Sequence, residues 1–299
     1  TCFYNRVISE DLETALDLIG DLVLHPALIE EEMEKEKSVI CEEIAMDEDD
    51  PESHIGEMLW RTQYRGTCME HPILGFPEQI MAYHPDDLRR FRAVHYTPDR
   101  CVISVCGAYD ASVLHACVDR IFGSWQGVSP APSFGNIAPR DGEVLALERD
   151  LEQVHLSLGY PSYPYGSPNN VSMELLSSIL GASASARLFQ RIREQLGMAY
   201  TVYSYNSPVQ GTGAFCLYAA ASPKYAEKVL SEMQLEMSRL ARDGIPEDEF
   251  EQNRHMMRIS FLMGLESAGS RMMSLGHALS LQNKTYDPMD TLNRIKSAR

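Results

Sequence analysis

What the 299-residue chain lacks narrows it first. It has no apolar run approaching the ~18 residues that a spanning helix needs, which excludes insertion into a membrane. It is short of bases: 26 Lys and Arg stand against 43 Asp and Glu, and a net charge of −17 repels a phosphate backbone, which excludes nucleic acid as a partner. No Cys-x-x-Cys pair occurs among the seven cysteines, whose odd number and scatter point to a reducing, cytoplasmic setting. No two of the nine histidines lie three to five residues apart, so none can stand on adjacent turns of one helix as paired metal ligands. The chain opens on Thr1 without an initiator methionine, basic segment or apolar leader, and closes on a helix start without a stop signal. Both ends are expected to be cuts in a longer protein.

What is present is ordinary globular composition, 44% hydrophobic and 23% charged, in a chain long enough for two domains. The main break lies between Gly127 and Gly142, where Pro130, Pro132, Pro139 and three glycines punctuate a stretch without periodicity. It divides the chain into expected halves over 1–126 and 145–299, with a linker at 127–144. Periodicity predicts, in the first half, a strand over 2–8, helices over 10–24, 30–46 and 52–64, a helix after Pro85, a strand over 101–107 and a helix over 110–123. In the second it predicts a strand over 152–160, helices over 169–180 and 185–196, strands over 200–206 and 213–221, and long helices after Ser222 and Pro246. The fold class is α+β.

The halves also repeat each other. TCFYNRVISEDL at 1–12 can be laid on AFCLYAAASPKY at 214–225: a half-buried strand, a serine at the helix cap, then a helix. Further on, Leu28, Met33, Val39 and Ile40 fall on Ile245, Phe250, Met256 and Met257. In this alignment Glu36 and Glu43 fall on Asn253 and Ser260, so one copy carries acids that the other lacks. Seven helical steps bring Glu36 and Glu43 onto one face, about 10 Å apart along the axis, too far for both to bind one ion. If one is a ligand, the other is an electrostatic or supporting partner.

Three blocks then make the chain resemble the pitrilysin, insulin-degrading enzyme and mitochondrial processing peptidase family of zinc metallopeptidases, above all its short bacterial members. They are EKEKSVICEEIAMDEDDPE at 34–52, HPILGFPEQI at 71–80 with HPDDLRRFRAVHYTPDRCVISVCGAYD at 84–110, and LGASASARLFQRIREQLGMAYTVYSY at 180–205. The resemblance implies two homologous α/β-roll halves, each a mixed sheet packed by helices, closing like a clamshell on a peptide chamber. It also implies a Zn2+ cofactor held by an H-x-x-E-H helix and the last glutamate of an E-x6-E helix. By position, Glu43 is the zinc ligand and Glu36 the accompanying acid; Glu42 is one step off that face. Arg193 and Tyr200 match the family's R-x6-Y pair, credited with holding the substrate backbone and the polarised carbonyl.

The chain departs from the pattern in having no H-x-x-E-H, so alone it is expected neither to complete a zinc site nor to cleave peptides. The implied activity of the intact protein is hydrolysis of unstructured or presequence-like peptides, with a homodimer or a related subunit as partner. The alternative is a non-catalytic structural or substrate-binding subunit of a processing-peptidase-like pair. Other features carry less. Cys101 and Cys106 fall on opposite strand faces, His155 is a lone strand histidine, the methionines over 256–273 are helix packing, and Gly181 to Ser185 is a small-residue connection without the pattern of a phosphate loop.

Overall fold

The computed structural model describes residues 1–131 and 137–298, so residues 132–136, the middle of the expected linker, lie outside the described residues. The described chain groups into two compact units, each assembled from three segments: residues 1–42, 76–133 and 263–286 in one, and 43–75, 134–262 and 287–299 in the other. Among the described residues, no helix is long and apolar enough to cross a membrane.

The first unit is helical. It contains α1 (Leu12–Leu24), most of α2 (Glu30–Asp49), and, beyond α3 (Pro51–Gln63) of the other unit, α4 (Pro77–Ala82), α5 (Pro85–His95) and α6 (Ala111–Phe122). Helix α6 starts at Asp110, whose carboxylate accepts hydrogen bonds from the Ser112 and Val113 amides. Helices α1 and α6 meet where Gly20 lies against Ile121; a β-carbon there would stand 2.3 Å from the isoleucine methyl. Arg92 reaches the carbonyls of Val23 and Leu24, satisfying the open end of α1.

The expected strands over 2–8 and 101–107 do not form: among the described residues neither segment pairs with a neighbouring strand. Alternation reports which face a residue prefers; a strand also needs a neighbouring ladder to bond. Without one, the segment 2–8 is held by Asn5 on the Ala15 carbonyl, and Ser104 donates instead to Met272 of a later helix.

The second unit is built on a three-stranded sheet. Its strands are β1 (Val154–Pro161), β2 (Ala199–Val209) and β3 (Thr212–Ala221), in the order β1-β3-β2 and antiparallel at both seams. The mixed pairing implied by the family resemblance is therefore not found among the described strands, while the α+β class is. Between β1 and β2 lies α7 (Asn170–Leu180); after β3 come α8 (Ala226–Asp243) and nearly all of α9 (Glu247–Gly264), then α10 (Ala268–Gln282), which belongs to the first unit, and α11 (Pro288–Ser297), which belongs to the second.

Strand β3 is buried along its whole length rather than on one face. As the central strand, it sends Phe215, Leu217, Ala219 and Ala221 into a core with Leu180, Leu188, Ile192, Val229 and Met233. Ala214 and Cys216 face the other way, onto Tyr64, Leu59 and Trp60 of the α3 region. Tyr64 is wholly buried there, its hydroxyl donating to the Gly213 carbonyl at 2.6 Å. Burial pushes the Cys216 thiol up to about 11.

The extended segment, serine, helix pattern proposed for the repeat is visible at both places as an order of elements. A 3-10 turn at Ser9–Asp11 leads into α1, and one at Pro223–Tyr225, after Ser222, leads into α8.

Candidate functional site

The predicted acidic helix forms as α2, with Glu30, Glu31 and Glu32 in its first turn, where carboxylates suit the positive end of the helix dipole. Its buried stripe runs through Lys37 and Ile44, seven residues apart, and Lys37 satisfies its charge on Glu34 and the Met81 carbonyl. Glu36 and Glu43 each precede one of these residues, which turns both about 100° away from the stripe. Both are exposed, and neither makes a hydrogen bond or ion pair among the described residues. The position matching Glu36 in the second copy is used differently, because Asn253 accepts from Ser178 at 2.8 Å and so ties α9 to α7.

No group of three or more His, Cys, Asp or Glu among the described residues is arranged to hold a metal ion. The residues present therefore do not by themselves fit the zinc that the sequence resemblance implies; Glu43 would be one ligand of several. Calorimetric titration of this chain with zinc at neutral pH is expected to show only weak, nonstoichiometric uptake by an acidic surface. A stoichiometric submicromolar site would reveal ligands that the described residues do not bring together.

The other pair does come together. The expected helix over 185–196 is for most of its length a π turn, Phe189–Gln195, in which the widened ring of i→i+5 bonding lets Leu196 donate to Arg191. Buried Leu188 and Ile192 anchor it in the core. Arg187 grips Glu249 with two hydrogen bonds, and Arg191 reaches the nearly buried Glu232 at 3.0 Å, which Lys228 also meets. These partners hold the Glu232 carboxyl below the usual range despite its burial. Gly197 then closes the turn with φ +61°, a conformation that favours glycine.

Arg193 projects from this turn with its guanidinium carbon 4.3 Å from the centre of the Tyr200 ring and 4.7 Å from that of Phe189. Two aromatic faces thus sandwich the cation, an arrangement worth about 0.5–1 kcal/mol at an exposed site. Tyr200 is 73% exposed because the β2–β3 register shifts between Ala199 and Thr201, and a bulge turns the side chain out of the sheet. Stacking leaves the edges of the guanidinium open; Glu194, at 3.8 Å from Nε, is its sole ion-pair partner among the described residues. The Tyr200 hydroxyl has no hydrogen-bond partner among them. Two donor groups are held side by side with their protons unspent, which suits an incoming carbonyl or carboxylate oxygen.

The sequence reading does not single out Phe189, although its place four residues before Arg193 is the spacing at which helical side chains meet. Nor does it reveal a second polar group. Tyr203 donates to Glu52 at 2.6 Å, and the Tyr218 hydroxyl lies 2.8 Å from Nδ1 of His155. Burial lowers the His155 pKa, partly opposed by the charges of Glu52 and Asp50.

Residues 1–76 match the family described as Insulinase (Peptidase family M16), and residues 83–257 match the one described as Peptidase M16 inactive domain. A protein of Bacillus subtilis named an uncharacterized zinc protease is 34% identical over all of this chain, which spans 73% of that protein. A protease from Helicobacter pylori superposes with a TM-score of 0.89 at 19% identity, covering 97% of this chain and 72% of its own. A chain of complex III2 from Candida albicans does so with a TM-score of 0.84 at 19% identity, covering 98% and 72%.

Proposed function

Because the chain belongs to the M16, or insulinase, family of peptidases, we propose that it is part of a zinc-dependent endopeptidase acting on unstructured peptides. The observation that carries this reading is the Arg193–Tyr200 pair, stacked at 4.3 Å with its donors facing solvent. In it, Arg193 and Tyr200 hold a peptide carbonyl: the guanidinium edge and the phenol hydroxyl donate to the oxygen, and both bonds strengthen as that oxygen gains negative charge. Preorganisation by Phe189, by the bulge and by the salt-bridged turn means that neither donor must be ordered when the peptide arrives. Glu43 is assigned as the one zinc ligand from this chain and Glu36 as its supporting acid, while 1–126 and 145–299 are read as homologous halves about the 127–144 linker.

The reading is tested in the full-length protein. Glu43→Gln is expected to remove metal, whereas Glu36→Gln lowers peptide hydrolysis more than zinc content, since about 10 Å along the helix separates the two carboxylates. Metal analysis beside a fluorogenic peptide assay decides this, and equal zinc loss from both variants would sink the assignment.

A second reading is supported by the match to the inactive domain and by the likeness to a complex III2 chain: a non-catalytic subunit that holds peptide for a related partner, or dimerises with a copy of itself. Peptide binding without hydrolysis by the full-length protein would favour it.

A further inference from the structure

The corner between α2 and α3 is a single residue, Asp50, and it is rigid. Its carboxylate accepts from the amides of Glu52 and Ser53 and from the Ser53 hydroxyl at 2.7 Å, and Pro51 fixes the first position of α3. Each side of this corner is tied to the sheet region. On the α2 side, the Arg149 guanidinium, a few residues ahead of β1, donates to the Glu48 carbonyl in the last turn. On the α3 side, the Glu52 carboxylate accepts from Tyr203 of β2. Tyr203 is directly paired with Tyr218 of β3, and the two rings pack with their centres 4.9 Å apart.

Proton accounting makes the second tie directional. A carboxylate only accepts, so Tyr203 donates to Glu52. Burial, with the Glu52 charge adding to it, raises the phenol pKa of Tyr203, so it keeps its proton and stays a donor at neutral pH.

Tyr203 lies three residues beyond Tyr200 on the same strand, and Glu52 lies just past the corner from Glu43. We infer that Tyr203 and Glu52 are positioning residues, whose hydrogen bond fixes the strand carrying Tyr200 against the helical corner that follows Glu43. The inference rests on the peptidase reading above, since it has Tyr200 and Glu43 serving the same reaction.

The test is steady-state kinetics of the full-length protein on an unstructured fluorogenic peptide, for Tyr203→Phe, Glu52→Gln, Glu52→Ala and the Tyr203→Phe/Glu52→Ala double variant, with Tyr200→Phe alongside. Turnover is expected to fall about tenfold in Tyr203→Phe and Glu52→Ala with KM nearly unchanged. It should fall less in Glu52→Gln, whose amide oxygen still accepts, and the double variant should be no worse than either single one. Wild-type turnover in both single variants, or additive losses in the double, would overturn the inference. If Tyr200→Phe loses turnover while Tyr203→Phe keeps it, only the positioning role falls; if Tyr200→Phe is itself wild type, the peptidase reading falls. Hydrogen exchange over residues 50–57 reads the tie without activity: faster exchange is expected in Tyr203→Phe, and unchanged exchange counts against the tie.

Discussion

Arg193→Ala is expected to lower turnover of the full-length protein by about 10²–10³, and Tyr200→Phe by about 10², with KM and zinc content little changed. The asymmetry follows from when the two donors act. A peptide carbonyl in the ground state is a modest acceptor, but its oxygen takes on negative charge as the carbon becomes tetrahedral, so removing the donors raises the barrier more than it weakens binding. Arg193→Ala removes a charged donor and also the stacking slab of Tyr200, whereas Tyr200→Phe removes only a hydroxyl and keeps the sandwich. If the pair merely packed, Tyr200→Phe would leave turnover intact, because a ring that is 73% exposed contributes little to the core. Kinetics with metal analysis and thermal melts separates the two cases, and wild-type turnover in both variants would return the pair to a structural role.

Gly181→Ala is expected to destabilise the chain by about 3 kcal/mol, the upper end for overpacking. Gly181 ends α7 where that helix meets β2, and a β-carbon would stand 2.3 Å from the Ser204 amide nitrogen and 2.8 Å from the Tyr203 carbonyl carbon. Backbone cannot rotate aside as a side chain can. The same seam holds buried hydrogen bonds between Ser177 and Ser204, among them Ser177 Oγ to the Ser204 carbonyl at 2.9 Å, and these would be pulled apart together. Chemical denaturation of the chain measures the effect; a change below about 1 kcal/mol would mean that α7 shifts freely over the sheet.

Much of the helical framework is legible in the sequence because the helices carry local signals: α6 has a capping Asp110 and ends at Gly123, α3 has Asp50 and Pro51 at its start, and α7 ends at Gly181. The strands β2 and β3 are legible as a pair of β-rich runs on either side of Gln210-Gly211. What escapes a sequence reading are features that depend on something distant. Residues 2–8 and 101–107 have a strand's alternation but no described ladder to join, and nothing local distinguishes that case from β1. The π turn at Phe189–Gln195 has an ordinary helical composition; its extra residue per turn is set by the anchors Leu188 and Ile192 and by the carboxylates of Glu232 and Glu249 on other helices. At the site, Arg193 and Tyr200 can be named from the R-x6-Y spacing and the family it suggests. Glu52 cannot be paired with Tyr203, because the two stand 151 positions apart and both read alone as ordinary surface groups.

The all-buried central strand also constrains the order in which the second unit can assemble. Strands β2 and β3 are neighbours in the chain, closed by Gln210-Gly211 with φ +83° at the glycine, so their pairing needs only a small loop to close and belongs to the microsecond events of folding. Strand β1 must find β3 across the whole of α7 and the π turn, and the Tyr64 hydroxyl must find Gly213 from 149 residues away. Closing those larger loops costs entropy before any contact repays it, so the hairpin is the natural nucleus and the α3 face is the last to be sealed. Until then Ala214 and Cys216 stay wet on one side of an otherwise finished strand, and the transient species most exposed to misassembly is a hairpin with one covered face and one bare one.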